Sequence, residues 1–327
     1  MRSFRRLLGA AALLAAGTLA PSAAAQQAAQ GFALDRFYGS APGGGWFVMD
    51  ALDMRGGLGG AMELTTDYAL QPLRVTDGVR HLTAVSDQVI TDLGFAATYD
   101  RFRLYLNLDA PLLVMGQSGT VGNYTFTAPS LDLGSHPDTL ADARLGFDAR
   151  VLGEAHDAFR LGASAQVFIP PTDLDGSIQG SYLTDGTLRA MGRVLVAGDL
   201  GWLSYAGHLG VHVRPLDDSP APGAPRGSEL LFGLAGGARM TLPWAGSPAL
   251  IVGPEVFGAT AFRSLLGTND TALEGLVTGR IEGTADSGAE VRVKLGTGGG
   301  LDARFGAPEW RVVFAVEVFD HGGRRAP

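Results

Sequence analysis

The stretch Arg101–Asp109, RFRLYLNLD, decides the fold class of this chain. Its apolar side chains, Phe102 and every second residue after it, fall on one face of an extended strand. Arg103, Tyr105 and Asn107 fall on the other face. Successive side chains of a β-strand point to opposite faces, so an apolar face opposite a polar one is typical of a strand between two environments. The stretch therefore predicts an amphipathic β-strand.

The same alternation recurs along most of the chain, in segments of roughly 9–15 residues. Strands of globular proteins usually have about 5–6 residues, whereas a tilted strand that crosses a membrane needs about 9–11. These lengths favour strands that cross a membrane. We place twelve strands at 58–68, 87–99, 101–109, 140–152, 158–169, 187–198, 201–213, 228–242, 248–260, 271–285, 289–297 and 308–319.

The connections between these segments alternate between short and long. Outer-membrane barrels have this arrangement, with tight periplasmic turns and longer outer loops. Because lipid cannot hydrogen-bond a free strand edge, the strands must also close. The sequence therefore predicts an all-β fold, a transmembrane antiparallel β-barrel of about 12 strands with short periplasmic turns and long outer loops. The predicted short turns are 100, 153–157, 199–200, 243–247 and 286–288, and the predicted long loops are 69–86, 110–139, 170–186, 214–227, 261–270 and 298–307.

Aromatic residues near the segment ends are predicted to form a girdle at the membrane interfaces. Amphipathic aromatic rings are enriched at the boundary between lipid and water, and outer-membrane barrels carry such rings at both interfaces. The predicted girdle residues are Tyr68, Tyr99, Phe102, Phe159, Trp244, Trp310 and Phe319.

The N-terminus carries the features of a secretory signal peptide. Arg2, Arg5 and Arg6 precede a short apolar stretch at 7–16, and three alanines at 23–25 fit a cleavage site. No later run of about 18 apolar residues could form a membrane helix. The predicted division is 1–25 signal peptide, 26–57 periplasmic or plug segment, 58–319 outer-membrane β-barrel and 320–327 C-terminal tail.

The composition excludes several classes of function. The 327 residues carry a formal net charge of −8, which argues against a nucleic-acid partner. There is no cysteine, so disulfides, thiol catalysis and cysteine-based metal sites are excluded. No metal, phosphate-loop or hydrolase motif is present, and we expect no cofactor, no metal and no enzyme activity. We expect a location in the Gram-negative cell outer membrane, with lipid, lipopolysaccharide and the barrel-assembly machinery as partners.

Residues 31–57 do not fit the strand pattern. Trp46 and Phe47 belong to an apolar cluster in which Asp50 and Asp53 are interleaved. The segment could enter the lumen as a plug, pair as an extra short strand, or pack below the barrel. We favour the plug, because an apolar and acidic segment could meet arginines inside the barrel.

The charged face of the strands is predicted to line a polar lumen. Its charges are mixed in sign, so it could be an anion-attracting pore lining or a paired network that closes the lumen. In a solvated lumen, Arg103→Ala should cost less stability than Leu106→Arg on the lipid face. The predicted lumen residues are Arg103, Arg144, Asp148, Arg150, Arg160, Arg189, Arg193, Arg239, Glu255, Arg280, Glu290, Arg292, Lys294 and Arg311.

Several short motifs, in this order and spacing, resemble the N-terminal β-barrel of OmpA-family outer-membrane proteins from myxobacteria and related deltaproteobacteria. In that family the barrel is commonly followed by Asp-rich repeats and a peptidoglycan-binding domain. Neither follows the last strand here, so the resemblance implies a barrel without cell-wall tethering and without catalytic residues. The motifs are FALDRF (32–37), WFVMDALDMRG (46–56), DYALQPL (67–73), VRPLDD (213–218), GSELLFG (227–233), VGPEVFG (252–258) and FGAPEWRVVFAVEV (305–318).

These observations leave three functions open. The leading one is an outer-membrane β-barrel that acts as a narrow diffusion channel or as a structural envelope protein. The alternative is a surface-display scaffold that binds a partner through its outer loops, and a membrane-embedded hydrolase is less favoured. Eight strands leave an interior filled by side chains and sixteen to eighteen leave an aqueous channel, so twelve strands do not decide conductance. Oligomeric state is also left open.

Overall fold

A computed structural model describes residues 27–28, 32–132, 141–171, 182–216, 227–244, 246–267, 271–285, 288–302 and 306–320. Within these ranges the chain forms twelve long strands and one short 3-10 helix, Phe262–Ser264. The strands are β1 Leu58–Thr76, β2 His81–Tyr99, β3 Phe102–Met115, β4 Ala143–Leu152, β5 Arg160–Ile169, β6 Arg189–Asp199, β7 Leu203–Val213, β8 Glu229–Thr241, β9 Ala249–Ala261, β10 Thr271–Thr284, β11 Glu290–Asp302 and β12 Trp310–Asp320. In the described part of the chain, no helix has the length and apolar character needed to cross a membrane.

The twelve strands close into one antiparallel barrel. Each strand pairs with its neighbours in the chain, and β12 returns to β1 with Trp310 opposite Leu70 and Asp320 opposite Gly60. Closure leaves no free edge of backbone N–H and C=O groups, which is the condition for a sheet that spans a lipid bilayer. The predicted all-β barrel is confirmed.

The two faces of the barrel wall have opposite chemistry. On β3, Arg103 is 1% exposed and points inward, whereas its neighbour Leu104 is 54% exposed and points outward. The same inversion holds on β12, where Glu317 is fully buried and Phe314 is exposed. Since a soluble barrel would bury its apolar face, this arrangement fits a barrel whose exterior meets lipid.

One predicted girdle residue lies on the wrong face. Phe319 is buried in the lumen, with the Arg292 guanidinium 4.6 Å from its ring centre. It shares the face of Glu317, two residues away, because side chains alternate along a strand. The exposed aromatic residues of the predicted girdle are Tyr99, Phe102, Phe159, Trp244 and Trp310.

The predicted long loop over 69–86 is wrong. Strands β1 and β2 have 19 residues each and meet in a tight turn, where the Asp77 N–H donates to the Arg80 carbonyl. A break in the β1–β2 register between Leu70 and Leu73 carries the pairing past Pro72. Because about 9–11 residues suffice to cross a membrane, this hairpin projects beyond the barrel.

The other long connections differ in part from the prediction. β3 continues to Met115, and strands Gly119–Val121 and Tyr124–Phe126 form a small hairpin inside the predicted loop 110–139. β11 continues to Asp302, beyond its predicted end at 297. We call the end of the barrel that carries these connections the long-loop end, and the opposite end the short-turn end.

An apolar cluster, which we call the apolar cap, lies at the long-loop end. It joins the projecting hairpin and the small hairpin to residues that precede the first barrel strand, and these side chains bury one another. The buried members of the cap are Phe32, Leu34, Leu73, Val75, Ala84, Val85, Val114, Val121, Phe126, Tyr182 and Leu183.

Candidate functional site

Residues 32–57, which we call the lumen segment, run through the inside of the barrel. At the long-loop end, the Ala33 N–H donates to the Asp185 carboxylate over 2.8 Å. At the short-turn end, the Gly57 carbonyl accepts from the Asp100 N–H over 3.1 Å. Of the three placements that the sequence leaves open, the structure therefore has the segment in the lumen.

The middle of the lumen segment is its apolar part. Trp46–Met49 are at most 2% exposed and pack against small and branched side chains of the wall. Burying each large apolar side chain contributes roughly 1.5–3 kcal/mol relative to leaving it in water. The wall partners are Ala197, Ala206, Ala235, Ile251, Phe257, Leu276, Val313 and Ala315.

Wall glycines provide the space that the lumen segment occupies. At five of them, an added methyl carbon would lie less than 3.0 Å from a side chain of the segment, closer than real side chains approach. The wall is therefore shaped to the segment, as close packing requires. The pairs, with the distance from the added carbon, are Gly94 with Pro42 (2.6 Å), Gly162 with Leu52 (2.8 Å), Gly233 with Met49 (2.7 Å), Gly237 with Trp46 (2.8 Å) and Gly296 with Phe47 (2.7 Å).

Charged residues of the lumen segment pair with charges on the wall. Asp50 pairs with Arg103, which also binds Asp148 of β4 with 2.7 Å between Nη2 and Oδ2. Asp35 pairs with Arg311 over 2.7 Å. Other contacts join Arg36 to Glu229 (2.7 Å), Arg55 to Glu290, Arg144 Nη1 to the Gly39 carbonyl (2.6 Å) and Lys294 Nζ to the Trp46 carbonyl (3.4 Å).

Glu255 of β9 binds the backbone of the lumen segment. The N–H groups of Phe47 and Val48 donate to its two carboxylate oxygens, each over 3.0 Å. The Thr278 hydroxyl donates to the same carboxylate over 2.7 Å. A fully buried carboxylate needs such donors, since an unpaired buried charge is strongly unfavourable.

Three wall cations lie over aromatic rings of the lumen segment, and one of them is Arg311, whose guanidinium is 4.9 Å from the Phe37 ring centre. The Arg280 guanidinium is 4.6 Å from the Trp46 ring centre, and the Lys294 ammonium is 5.2 Å from that of Phe47. Cations within about 6 Å of an aromatic ring are attracted by its π-electrons. The same rings that fill the wall glycine sites thus also contact the wall charges.

Two aspartates at the ends of the lumen segment are held in their ionised form. Burial raises the pKa of Asp185, but the Arg214 guanidinium outweighs burial, and the pKa of this carboxyl lies well below its ordinary range. Both Asp185 oxygens accept from Arg214 over 2.7 Å. Burial also raises the pKa of Asp53, but hydrogen bonds from Arg55 lower the pKa by more, to well below its usual value.

The structure places the predicted lumen residues inside the barrel, with two of them near the water. Arg239 and Glu290 are partly exposed at the short-turn end. Arg193 has no ion pair with a described residue, although it is only 4% exposed. The buried members of the predicted set are Arg103, Arg144, Asp148, Arg150, Arg160, Arg189, Arg193, Glu255, Arg280, Arg292, Lys294 and Arg311.

Wall-to-wall ion pairs complete the network. Lys294 pairs with Glu63 over 2.9 Å and with Glu317 over 2.7 Å, and Arg311 pairs with Glu274 over 2.7 Å. Other pairs include Arg160 with Asp199, Arg189 with Asp142, Arg150 with Glu154, Arg292 with Glu282 and Arg239 with Glu282. Most lumen charges therefore have a partner of opposite sign.

Sequence reasoning missed part of the site. Asp35 and Arg36 contact opposite wall charges, and Asp185 with Arg214 holds the start of the lumen segment. The signal for Asp35 and Arg36 was available, because both lie in a segment with several charges of both signs. In the described part of the chain, no group of three histidine, aspartate or glutamate side chains could hold a metal ion.

No family model matches the sequence, and a search of curated proteins found no match. The resemblance to OmpA-family barrels therefore stays a prediction. Among solved structures, the chain is similar to an outer membrane channel from Pseudomonas putida F1, with a TM-score of 0.52 and 13% identity, over 81% of this chain and 96% of that chain. A NanC porin matches with a TM-score of 0.44 and 6% identity, over 79% of this chain and 98% of that chain. The first likeness shows the fold: this chain is a closed twelve-stranded β-barrel of the kind found in outer membranes.

Proposed function

We propose that this protein is an outer-membrane channel that the lumen segment, residues 32–57, holds closed as a plug. The observation that carries the proposal is the fit between the segment and the wall. Side chains such as Trp46 and Phe47 occupy spaces that wall glycines leave, and charges such as Asp50 meet wall partners. The segment therefore blocks the path through the barrel.

The plug is separate from the hydrogen bonds that hold the barrel together. The hydrogen-bonded strand pairs of the barrel run from β1 through β12 and back to β1. None of the described strand pairs includes residues 32–57. The side chains that bind the segment, such as Arg103 and Lys294, would face water once the segment left. A charged, water-filled lumen is the ordinary interior of an outer-membrane pore. Displacement of the plug could thus open a path and leave the barrel closed on itself.

The proposal includes a location and an orientation. An apolar exterior and short turns at one end support insertion into the outer membrane, with the short-turn end in the periplasm. Outer-membrane lipid, lipopolysaccharide and the barrel-assembly machinery are then the expected partners, and the apolar cap faces the cell surface. We expect no enzyme activity. A structural envelope barrel, with the segment permanently in place, is the competing function.

Conductance of the Trp46→Ala variant in planar lipid bilayers tests the proposal. Removing a fully buried indole loses about 3–5 kcal/mol of packing energy. Because Trp46 lies in the lumen segment, this loss weakens the binding of the plug to the wall. The variant should open more often than the wild type, with a similar single-channel conductance. Trp310→Ala, which removes a half-exposed indole on the outer face, is the matched control and should leave the open time unchanged.

Two outcomes would count against a plugged channel. Equal open times for wild type and Trp46→Ala would show that the segment does not control the pore. Silence of both proteins at all applied voltages would favour the structural envelope barrel. Heat-modifiable mobility on gels checks that each variant has inserted as a folded barrel.

A further inference from the structure

A cavity of about 90 Å³ remains in the lumen between the plug and strands β1–β3. One buried water needs about 10–15 Å³ on this measure, so the cavity has room for several waters or for one small organic molecule. The plug supplies part of its lining, including Asp35, Tyr38 and Ser40, and the wall supplies Gln88, Asp92 and Asp109 among other residues. A molecule in this cavity would touch the plug and the wall together.

Two carboxylates oppose each other in this cavity. Asp92 of β2 and Asp109 of β3 are direct partners in the antiparallel register, an arrangement that is destabilising for like charges. Asp92 accepts from the Asn107 amide over 2.6 Å, and the nearest cation, Arg144, is 3.8 Å away. The Asp109 carboxyl group hydrogen-bonds to Asp92, and it has no ion pair with a basic side chain of the described residues. Among the described residues, Arg144 is thus the one cation within 4 Å of these two carboxyl groups.

A second feature of the same cavity points to a ligand. Gln88 is 1% exposed, yet neither its amide nitrogen nor its amide oxygen has a hydrogen-bond partner. Buried amides are normally hydrogen-bonded, since an unsatisfied one loses the hydrogen bonds that it makes with water in the unfolded chain. Oδ2 of Asp92 is likewise buried without a hydrogen bond. Both residues line the cavity, so one molecule there could satisfy both.

The spacing of these groups selects the kind of ligand. Gln88 and Asp92 are four residues apart on β2, which is about 13 Å along a strand. One metal ion could not contact both. An extended molecule could, with a cation at one end and a group that both donates and accepts hydrogen bonds at the other.

We propose that the cavity binds a small organic ammonium compound whose cation lies between Asp92 and Asp109 and whose hydroxyl or amide group bonds to Gln88. An ammonium group adds a second cation beside Arg144 and donates to both carboxylates, and charge-assisted hydrogen bonds of this kind are the stronger class. Such a ligand stabilises the plugged state, because it contacts plug and wall at once. The role of the cavity as a solute site rests on the proposed channel function. Binding itself does not require that the channel opens.

Thermal unfolding of the full-length protein in detergent tests the assignment, with 5-amino-1-pentanol as the probe. The probe should raise the unfolding midpoint, because a ligand that binds only the folded state stabilises that state. The neutral analogue 1,5-pentanediol should have little effect. The Asp109→Asn variant should bind the probe at least about tenfold more weakly. The Glu309→Gln variant, which changes a surface carboxylate outside the cavity, should respond as the wild type does.

Three results would overturn the assignment. They are an equal shift by the diol, an unchanged response of Asp109→Asn, and a shift by Ca²⁺ with none by the amino alcohol. A barrel that binds the probe but never conducts would refute the channel and leave the binding site intact.

Discussion

Arg103 shows what a single residue contributes to the closed barrel. The alternation around it predicts that it points into the lumen, and it does. Alternation cannot predict its partners, because Asp50 comes from the lumen segment and Asp148 from the next strand. The sequence thus predicts the charged face of each strand. The pairing across the lumen depends on the closed three-dimensional arrangement.

The same contacts change the expected cost of removing Arg103. In a water-filled lumen, Arg103→Ala would lower the stability of the protein only slightly. In this barrel, the substitution leaves two buried carboxylates without their cation. Breaking one partner of a buried ion pair costs about 3–5 kcal/mol. The Arg239 side chain is 36% exposed and 3.8 Å from Glu282. Arg239→Ala should therefore lower the free energy of unfolding by at most about 1 kcal/mol. Urea unfolding of Arg103→Ala and Arg239→Ala measures both, and equal costs would mean that the lumen is solvated at Arg103.

At the scale of elements, the strands were predictable and two other features were not. The period of two locates all twelve strands, because each has a lipid face and a lumen face. Gln71 and Pro72 interrupt the pattern, so the sequence predicts a long loop where β1 and β2 in fact continue past a bulge. The path of residues 32–57 depends on wall glycines from separate strands, such as Gly237 and Gly296, which no local pattern reveals.

The start of the lumen segment should be insensitive to pH over the neutral range. Asp185, which accepts from the Ala33 N–H and from Arg214, has a pKa below its ordinary value of about 3.8. A carboxyl with a lowered pKa in the folded state contributes stability that is present above its unfolded pKa and is lost as the pH falls through the folded pKa. The difference in unfolding midpoint between the wild type and Asp185→Asn should therefore hold from pH 8 to about 5 and decrease below about 4.

The Asp185→Asn variant provides the control for this pH dependence. It lacks the ionised carboxylate, so it should have a lower midpoint at neutral pH and a weaker decrease in acid than the wild type. Thermal unfolding of both proteins across the pH series makes the comparison. A wild-type decrease between pH 7 and 5 that the variant lacks would contradict the assigned pKa direction.

At the scale of the whole molecule, the alternation of turns predicts which end faces the cell surface. The chain has no cysteine, so single cysteines can report on each end. Val79, 88% exposed at the tip of the projecting hairpin, should react as Val79→Cys with a membrane-impermeant maleimide on intact cells. Leu200→Cys, at a short turn, should react only after the outer membrane is permeabilised. The reverse pattern would invert the proposed orientation.

The central claim, that residues 32–57 close the channel, is tested most directly by tethering that segment to the wall. A Cβ at Gly43 would lie 3.6 Å from Cβ of Ala61 on β1, within the range of about 3.5–4.5 Å that suits a disulfide. Gly43 has a φ of +82°, so Gly43→Cys alone controls for backbone strain, and Ala61→Cys alone controls for the wall. The measurement is the bilayer conductance of the oxidised double variant, followed by addition of dithiothreitol. The account predicts that the oxidised protein stays closed and that openings return on reduction, with no effect of reductant on either single variant. Openings of equal frequency and size before and after reduction would contradict it.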